Sequence, residues 1–333
     1  MDAVCFQCKM QTARCDLPRA IPGPLAAFPP ESISQYQSLP GRLAVITCYF
    51  NPCGYQSLKR NYLRFAAGMR ERQIPLYTIE LAFGDQPFFL KPAERVIQVR
   101  SGDVLWQKER MLNRLLETVP DGFDKIAWVD ADLIFTNPRW ADDASRLLEE
   151  YPVVQLFEQA VQLTKDDQPG EVRNGVAFAV AHGLKDAQHL GISHPGFAWA
   201  ARRDLLARHG LLDDNIIGGG DSMMVYAMFG WLDNPYLGRY SDAMRRSFRA
   251  WAEPFWAEVR GRVGCVPGRV LHMWHGRRAD RMYDERVTWL KQHDFDPRAD
   301  LIPAGNGLWR WAPGKDALHE LIRDYFPRRR EDD

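Results

Sequence analysis

The sequence predicts an α/β protein: a mainly parallel sheet flanked by helices, continued by a half of α+β character. Three observations lead there. Between Leu43 and Phe135 apolar strand-like runs alternate with amphipathic helical stretches, an order that calls for parallel pairing and right-handed crossovers. The run Lys125–Phe135 is interrupted by two carboxylates one residue apart, Asp130 and Asp132, which marks a buried strand coming to the surface. Beyond Pro138 the strict alternation is lost and short strands mix with helices.

Taken in order, Leu43–Phe50 is a first buried strand, Asn51-Pro52-Cys53-Gly54 a loop, and Tyr55–Arg72 a helix by the spacing of Leu58, Tyr62, Phe65 and Met69. Strands are expected at Ile74–Phe83 and Val96–Val99, an amphipathic helix at Val104–Thr118, and the carboxylate-bearing strand at Lys125–Val129. Neither G-x-G-x-x-G after the first strand nor G-x-x-x-x-G-K-[ST] anywhere is present, so dinucleotide-binding and P-loop readings lose their main support. The second half is expected to hold a helix near Trp140–Glu150, a strand at Val153–Phe157, a polar loop through Asp166–Gly170, and apolar segments at Val176–Ala181 and Phe197–Ala201. Helices should cover Arg202–His209, Ser222–Phe229, Asp242–Glu258, Arg281–His293 and Lys315–Tyr325.

Composition narrows the function classes. The 333 residues are 46% hydrophobic and 26% charged, an ordinary globular balance. Lys plus Arg equals Asp plus Glu at 43 each, so no global field recruits nucleic acid or an anionic membrane. No apolar run approaches the ~20 residues of a membrane span, and the expected location is cytoplasmic. Residues 1–41, rich in proline, read as an irregular lead-in. Within it Cys5, Cys8 and Cys15 offer three thiolates, one short of a structural zinc site.

The chemistry clusters in five places. Asp130 and Asp132 fall at the carboxyl end of a strand, where ligands of open α/β sheets bind. On extended backbone residues i and i+2 point the same way, so both can reach one hard divalent cation; the alternative is a plain strand cap. Lys108, Arg110 and Asn113 lie on the preceding helix, as donor-binding groups or as a solvated face. Gly218-Gly219-Gly220-Asp221 puts a carboxylate at a helix start behind three glycines, which allow close backbone approach. His272 and His275 follow a short strand, as metal ligands or as interior histidines. Arg277, Arg278 and Arg281 come directly after. The end, Arg328–Asp333, reads as a solvated, charge-mixed tail.

From Leu43 to about Gly276, the order of these motifs resembles the GT-A class of nucleotide-sugar glycosyltransferases, with its Rossmann-type sheet. The resemblance implies that Asp130 and Asp132 bind Mn²⁺ or Mg²⁺ with the sugar diphosphate, and that His272 or His275 completes the metal shell. It also implies that Asp221 is the acceptor-side carboxylate and that Arg277, Arg278 or Arg281 contacts the diphosphate. The candidate donor-binding set is Lys108, Arg110, Asn113, Asp130 and Arg277. The chain then divides into a nucleotide-sugar-binding half, 42–138, an acceptor-binding and metal-completing half of the same domain, 139–312, and a C-terminal helix and tail, 313–333.

The expected function is metal-dependent transfer of a sugar from a nucleotide-diphosphate sugar, such as a UDP-sugar, to an acceptor. Glycan, protein and modified nucleic-acid base all remain open as acceptor; for the last, Arg245, Arg246, Arg249, Arg260 and Arg262 supply a local basic patch. One alternative is a nucleotidyltransferase acting on sugar phosphates, which wants a glycine-rich basic loop after the first strand. The other is a non-enzymatic nucleic-acid-binding protein, against which zero net charge weighs.

Overall fold

The computed structural model describes residues 42–184 and 188–333; the lead-in and its Cys5, Cys8 and Cys15 lie outside the described residues. The chain runs through β1 (Leu43–Phe50), α1 (Gln56–Glu71), β2 (Leu76–Phe83), β3 (Val96–Ser101), α2 (Lys108–Leu116) and β4 (Lys125–Val129). It continues as β5 (Leu133–Phe135), α3 (Trp140–Leu147), β6 (Val153–Gln155), β7 (Gln159–Leu163), β8 (Pro169–Asn174), α4 (Val176–Ala181) and β9 (Ala198–Arg202). Then come α5 (Arg203–His209), α6 (Gly220–Phe229), α7 (Asp242–Val259), β10 (Val263–Cys265) and β11 (Arg269–His272). The last elements are α8 (Glu285–Gln292), α9 (Pro297–Asp300), β12 (Leu301–Pro303), β13 (Trp309–Trp311) and α10 (Asp316–Arg328).

A seven-stranded sheet in the order β10-β6-β9-β4-β1-β2-β3 forms the centre. Its strands alternate faces at the period of two that extended backbone imposes. Ala44, Ile46, Ile126 and Trp128 face one core with Leu112, Leu115 and Tyr226, whereas Val45, Ala127 and Val129 face another with Phe65, Met69 and Trp140. Both faces are therefore dry and helix-covered, which explains the near-continuous apolar runs. This is the expected fold class, α/β with a mainly parallel sheet flanked by helices. One strand departs from it: β9 pairs antiparallel with both β4 and β6, so the large sheet joins the two halves of the chain.

A second sheet, β5-β11-β7-β8, stands beside the first. The segment expected to be a polar loop at 166–170 instead turns a hairpin, with Asp167 at φ +56° between β7 and β8. The apolar segment Val176–Ala181 is a helix, α4. Apolar runs this short do not distinguish strand from helix by pattern alone.

Candidate active site

Asp130 and Asp132 do not share one continuous strand. β4 ends at Val129, the chain turns through Ala131 and Asp132, and β5 then enters the second sheet. The expectation that both carboxylates point the same way relied on a continuing strand; the turn removes that periodicity and sends the two side chains to different partners. Asp130 meets Lys108, with Nζ to Oδ1 at 2.7 Å. Asp132 meets the histidines.

Strand register brings those histidines in. β11 pairs antiparallel with β5, setting His272 opposite Leu133, and the Met273 N–H donates to the Asp132 carbonyl at 2.8 Å. His275 reaches the same point three residues on. His272 Nε2 lies 3.5 Å and His275 Nε2 3.0 Å from Asp132 Oδ2, and the two Nε2 atoms are 3.1 Å apart. Asp132, His272 and His275 form the one group of three such ligands among the described residues, with one ligand atom from each inside a 4.8 Å span.

Two features fit this group to a cation. Asp132 Oδ1 is buried without a hydrogen-bond partner, and a buried anionic oxygen left so is costly. Each histidine has its other nitrogen engaged: His272 Nδ1 is 2.6 Å from Gln162 Oε1, and His275 Nδ1 is 3.2 Å from Glu331 Oε1. An outward acceptor at each Nδ1 supports the tautomer whose Nε2 lone pair faces inward, the usual support of a metal-ligating imidazole. Arg281 Nη2 also contacts His275, at 3.3 Å and 3.0 Å from its two nitrogens, and would have to yield the Nε2 lone pair to a bound cation.

The electrostatics set the two histidines apart. Burial holds His272 down at about 4, so it is neutral at physiological pH. Burial opposes ionisation of Asp132, yet His272 and His275 prevail and keep it well below the usual carboxylate range. Burial and Arg281 both work against a charged His275, but its hydrogen bonds to Asp132 and Glu331 raise it.

The second cluster surrounds Lys108, the first residue of α2, which is 7% exposed. Its ammonium also contacts Asp221, at 3.0 Å and 3.3 Å from the two carboxylate oxygens. Asp221 stands in the first turn of α6, behind Gly219 at φ +95°, and does not cap that helix. Glu109 is buried beside it with Oε2 unpartnered. One ammonium thus serves three carboxylates. Lys108 stays charged well above its ordinary range, against the cost of burial, whereas burial and crowding raise Asp130 to about 6 and Glu109 to about 8.

The glycines before Asp221 answer to protein neighbours: a Cβ on Gly218 would lie 3.0 Å from Arg286, and one on Gly220 would lie 2.6 Å from Glu109. Both clusters open on a cleft of about 590 Å³, lined by Tyr49, Phe50 and Trp106 on one wall and by Arg277, Arg278 and Arg281 on another.

Two expected donor-binding residues are not brought to this cleft. Arg110 bonds the Gly307 carbonyl at 2.6 Å and Asp213 at 3.1 Å, and stacks over Trp309. Asn113 brackets the following loop through Leu211 and Asp213. On a helix, residues two and five positions after Lys108 turn to other faces, and these meet the 211–213 loop. Two arginines of the basic patch are paired with carboxylates: Arg245 with Asp242, and Arg249 with Asp233 and Glu253.

Residues assigned no role in the site from sequence complete it. Phe197, at φ +81°, stacks between His194, with centroids 3.8 Å apart, and His272, at 4.4 Å. The tail expected to be solvated is so only in part: Arg328, Arg330 and Asp333 are exposed, but Arg329 is 6% and Glu331 3% exposed. Burial works against ionised Glu331, but Arg329 beside it and His275 hold its carboxyl down at about 2. Its signal in the sequence is weak, because a mixed-charge run looks the same whether solvated or folded inward.

No family model matches this sequence, and no curated protein matches it. Among solved structures, the chain is similar to a Drosophila β1,4-galactosyltransferase 7 complexed with manganese, UDP-Gal and xylobiose, at 12% identity over 79% of this chain and 85% of that one, TM-score 0.37. In the xylobiose complex of the same enzyme's catalytic domain the match covers 68% of this chain and 65% of that one, TM-score 0.33, so this chain spans just under two thirds of it. A 4-diphosphocytidyl-2C-methyl-D-erythritol synthase from Anaerococcus prevotii gives 10% identity over 68% and 87%, TM-score 0.33. Likenesses this loose leave function to the side chains of this chain. No helix among the described residues is long and apolar enough to cross a membrane.

Proposed function

We propose that this protein is a metal-dependent glycosyltransferase that moves a sugar from a nucleotide-diphosphate sugar to an acceptor. The observation that carries the reading is the convergence of Asp132, His272 and His275 on one point, with Asp132 Oδ1 unpartnered, in the lining of the cleft. One carboxylate and two imidazoles suit Mn²⁺ better than Mg²⁺, which prefers all-oxygen shells. When bound, the cation would stabilise the charge that develops on a leaving diphosphate.

The chain's own groups have distinct tasks. Arg277, Arg278 and Arg281 face the cleft as bidentate donors for phosphate oxygens. Tyr49, Phe50 and Trp106 offer apolar faces to a base. Lys108, Asp130 and Asp221 present donors and acceptors to hydroxyl groups. Asp221 is the acceptor-side carboxylate, taking a proton or a hydrogen bond from the attacking hydroxyl.

The test is a panel of UDP-, GDP-, ADP-, CDP- and dTDP-sugars offered with Mn²⁺, with nucleoside diphosphate release and thermal stabilisation as readouts. Mn²⁺-dependent release from one donor class is the expected result. Pyrophosphate release from a nucleoside triphosphate and a sugar phosphate would favour the nucleotidyltransferase reading instead. Absence of both, with no stabilisation by any donor, overturns the proposal.

A further inference from the structure

The Arg329–Asp332 segment folds back against the metal-ligating histidines, and from this we infer that Glu331 is the positioning residue that holds His275 for cation binding. The inference rests on the cation reading of Asp132, His272 and His275.

Three observations support it. First, the segment is locked on both sides of Glu331. Asp332 accepts hydrogen bonds from the Gln56 and Ser57 N–H groups at the start of α1, at 2.9 Å and 2.7 Å, and the Tyr55 hydroxyl donates to the Phe326 and Pro327 carbonyls at 3.2 Å and 3.0 Å. Second, the histidine loop makes room for it. Gly276 adopts φ +84°, and a Cβ there would lie 2.9 Å from both the Arg330 carbonyl oxygen and Glu331 Cα, so only glycine lets the two backbones approach.

Third, Glu331 is committed to two partners. Arg329 Nε donates to its Oε1 at 2.6 Å, and His275 Nδ1 faces the same oxygen at 3.2 Å. Arg329 is itself anchored by the Tyr325 hydroxyl at 2.8 Å and lies over Trp106 at 5.0 Å. A buried Arg–Glu pair gives little net stability against its desolvation cost. What matters at the site is the Glu331 carboxylate behind His275, where accepting the Nδ1–H favours an Nε2 lone pair toward the cation position and raises its basicity. Gln162 does the same for His272. The ligands come from 132–275, and one of their two supports comes from beyond α10.

Calorimetric titration of Mn²⁺ alone into the metal-free protein tests this, with metal-free Tm measured in parallel. Glu331→Ala is expected to weaken Mn²⁺ roughly 10- to 100-fold. Glu331→Gln, which keeps an acceptor at Nδ1 without the charge, should recover part of the loss. Arg329→Met disturbs the segment but leaves the acceptor, and should keep the affinity within about threefold; Tm should follow the Arg329–Glu331 pair instead. Wild-type-like affinity in Glu331→Ala overturns the inference, as does an equal loss in Arg329→Met, which would make the effect one of packing. Absence of Mn²⁺ binding in the wild type, or its survival in Asp132→Ala, would instead strike the cation reading itself.

Discussion

Two clusters flank the D-x-D turn, and they differ in charge balance. Around Asp132 a carboxylate and two imidazoles converge on one point, with the Arg281 guanidinium against His275. Around Asp130 the protein supplies its own cation, Lys108, shared with Asp221 and Glu109. The first leaves Asp132 Oδ1 unpartnered where two imidazole nitrogens converge; the second holds its crowded carboxylates with one ammonium and offers hydrogen bonds. Two aspartates one residue apart thus have opposite needs, because a turn separates their directions.

The largest expected effect breaks the first cluster. Asp132→Ala should weaken Mn²⁺ by a thousandfold or more, about 4 kcal/mol, with little change in fold; calorimetry within tenfold of the wild type would count against the cation site.

Removing the internal cation should act on stability instead. Lys108→Met leaves crowded carboxylates without compensation and is expected to cost about 3 kcal/mol in denaturant unfolding, while Mn²⁺ affinity stays within a few-fold. A variant as stable as the wild type would mean that the two clusters do not differ as described.

Asp221→Asn keeps the Lys108 contact but cannot take a proton. A base role predicts normal folding and donor binding with turnover down on the order of a hundredfold. Near-normal transfer would leave Asp221 as a hydrogen-bonding group and no more.

The smallest effect is in pH dependence, and its sign is opposite for the two clusters. Glu109 and Asp130 have folded pKa values raised to about 8 and about 6, so their contribution is present below the ordinary carboxylate range and is lost as pH rises through those values. Asp132 is lowered; its contribution is present above the ordinary value and is lost as the medium acidifies. Glu109→Gln should therefore gain roughly a few degrees of Tm over the wild type between about pH 6 and 9. A gap that does not widen with pH would refute the assignment.

Much of the fold was legible. The strand and helix order through Val129 follows from apolar runs and helical spacing, since strands covered on both faces must be apolar throughout. The small second sheet was less so: β7, β8 and β11 are short, and α4 and β9 look alike as apolar runs. In the site, the residue types were readable but not their directions. Lys108 and Arg110 stand two apart on one helix, yet only Lys108 reaches the cleft, because helical rotation sends Arg110 to Asp213.

What the sequence determined alone was local and chemical: an apolar strand ending in two carboxylates, a carboxylate at a helix start, and paired histidines after a strand. What only the tertiary structure decided was which of these share a point in space. Asp132 meets His272 because β5 and β11 pair in a register that spans more than a hundred residues of chain. Glu331 meets His275 because Gly276 admits a second backbone and Asp332 anchors it. Register and close backbone approach are set by packing between distant segments, and no local pattern of side chains encodes them.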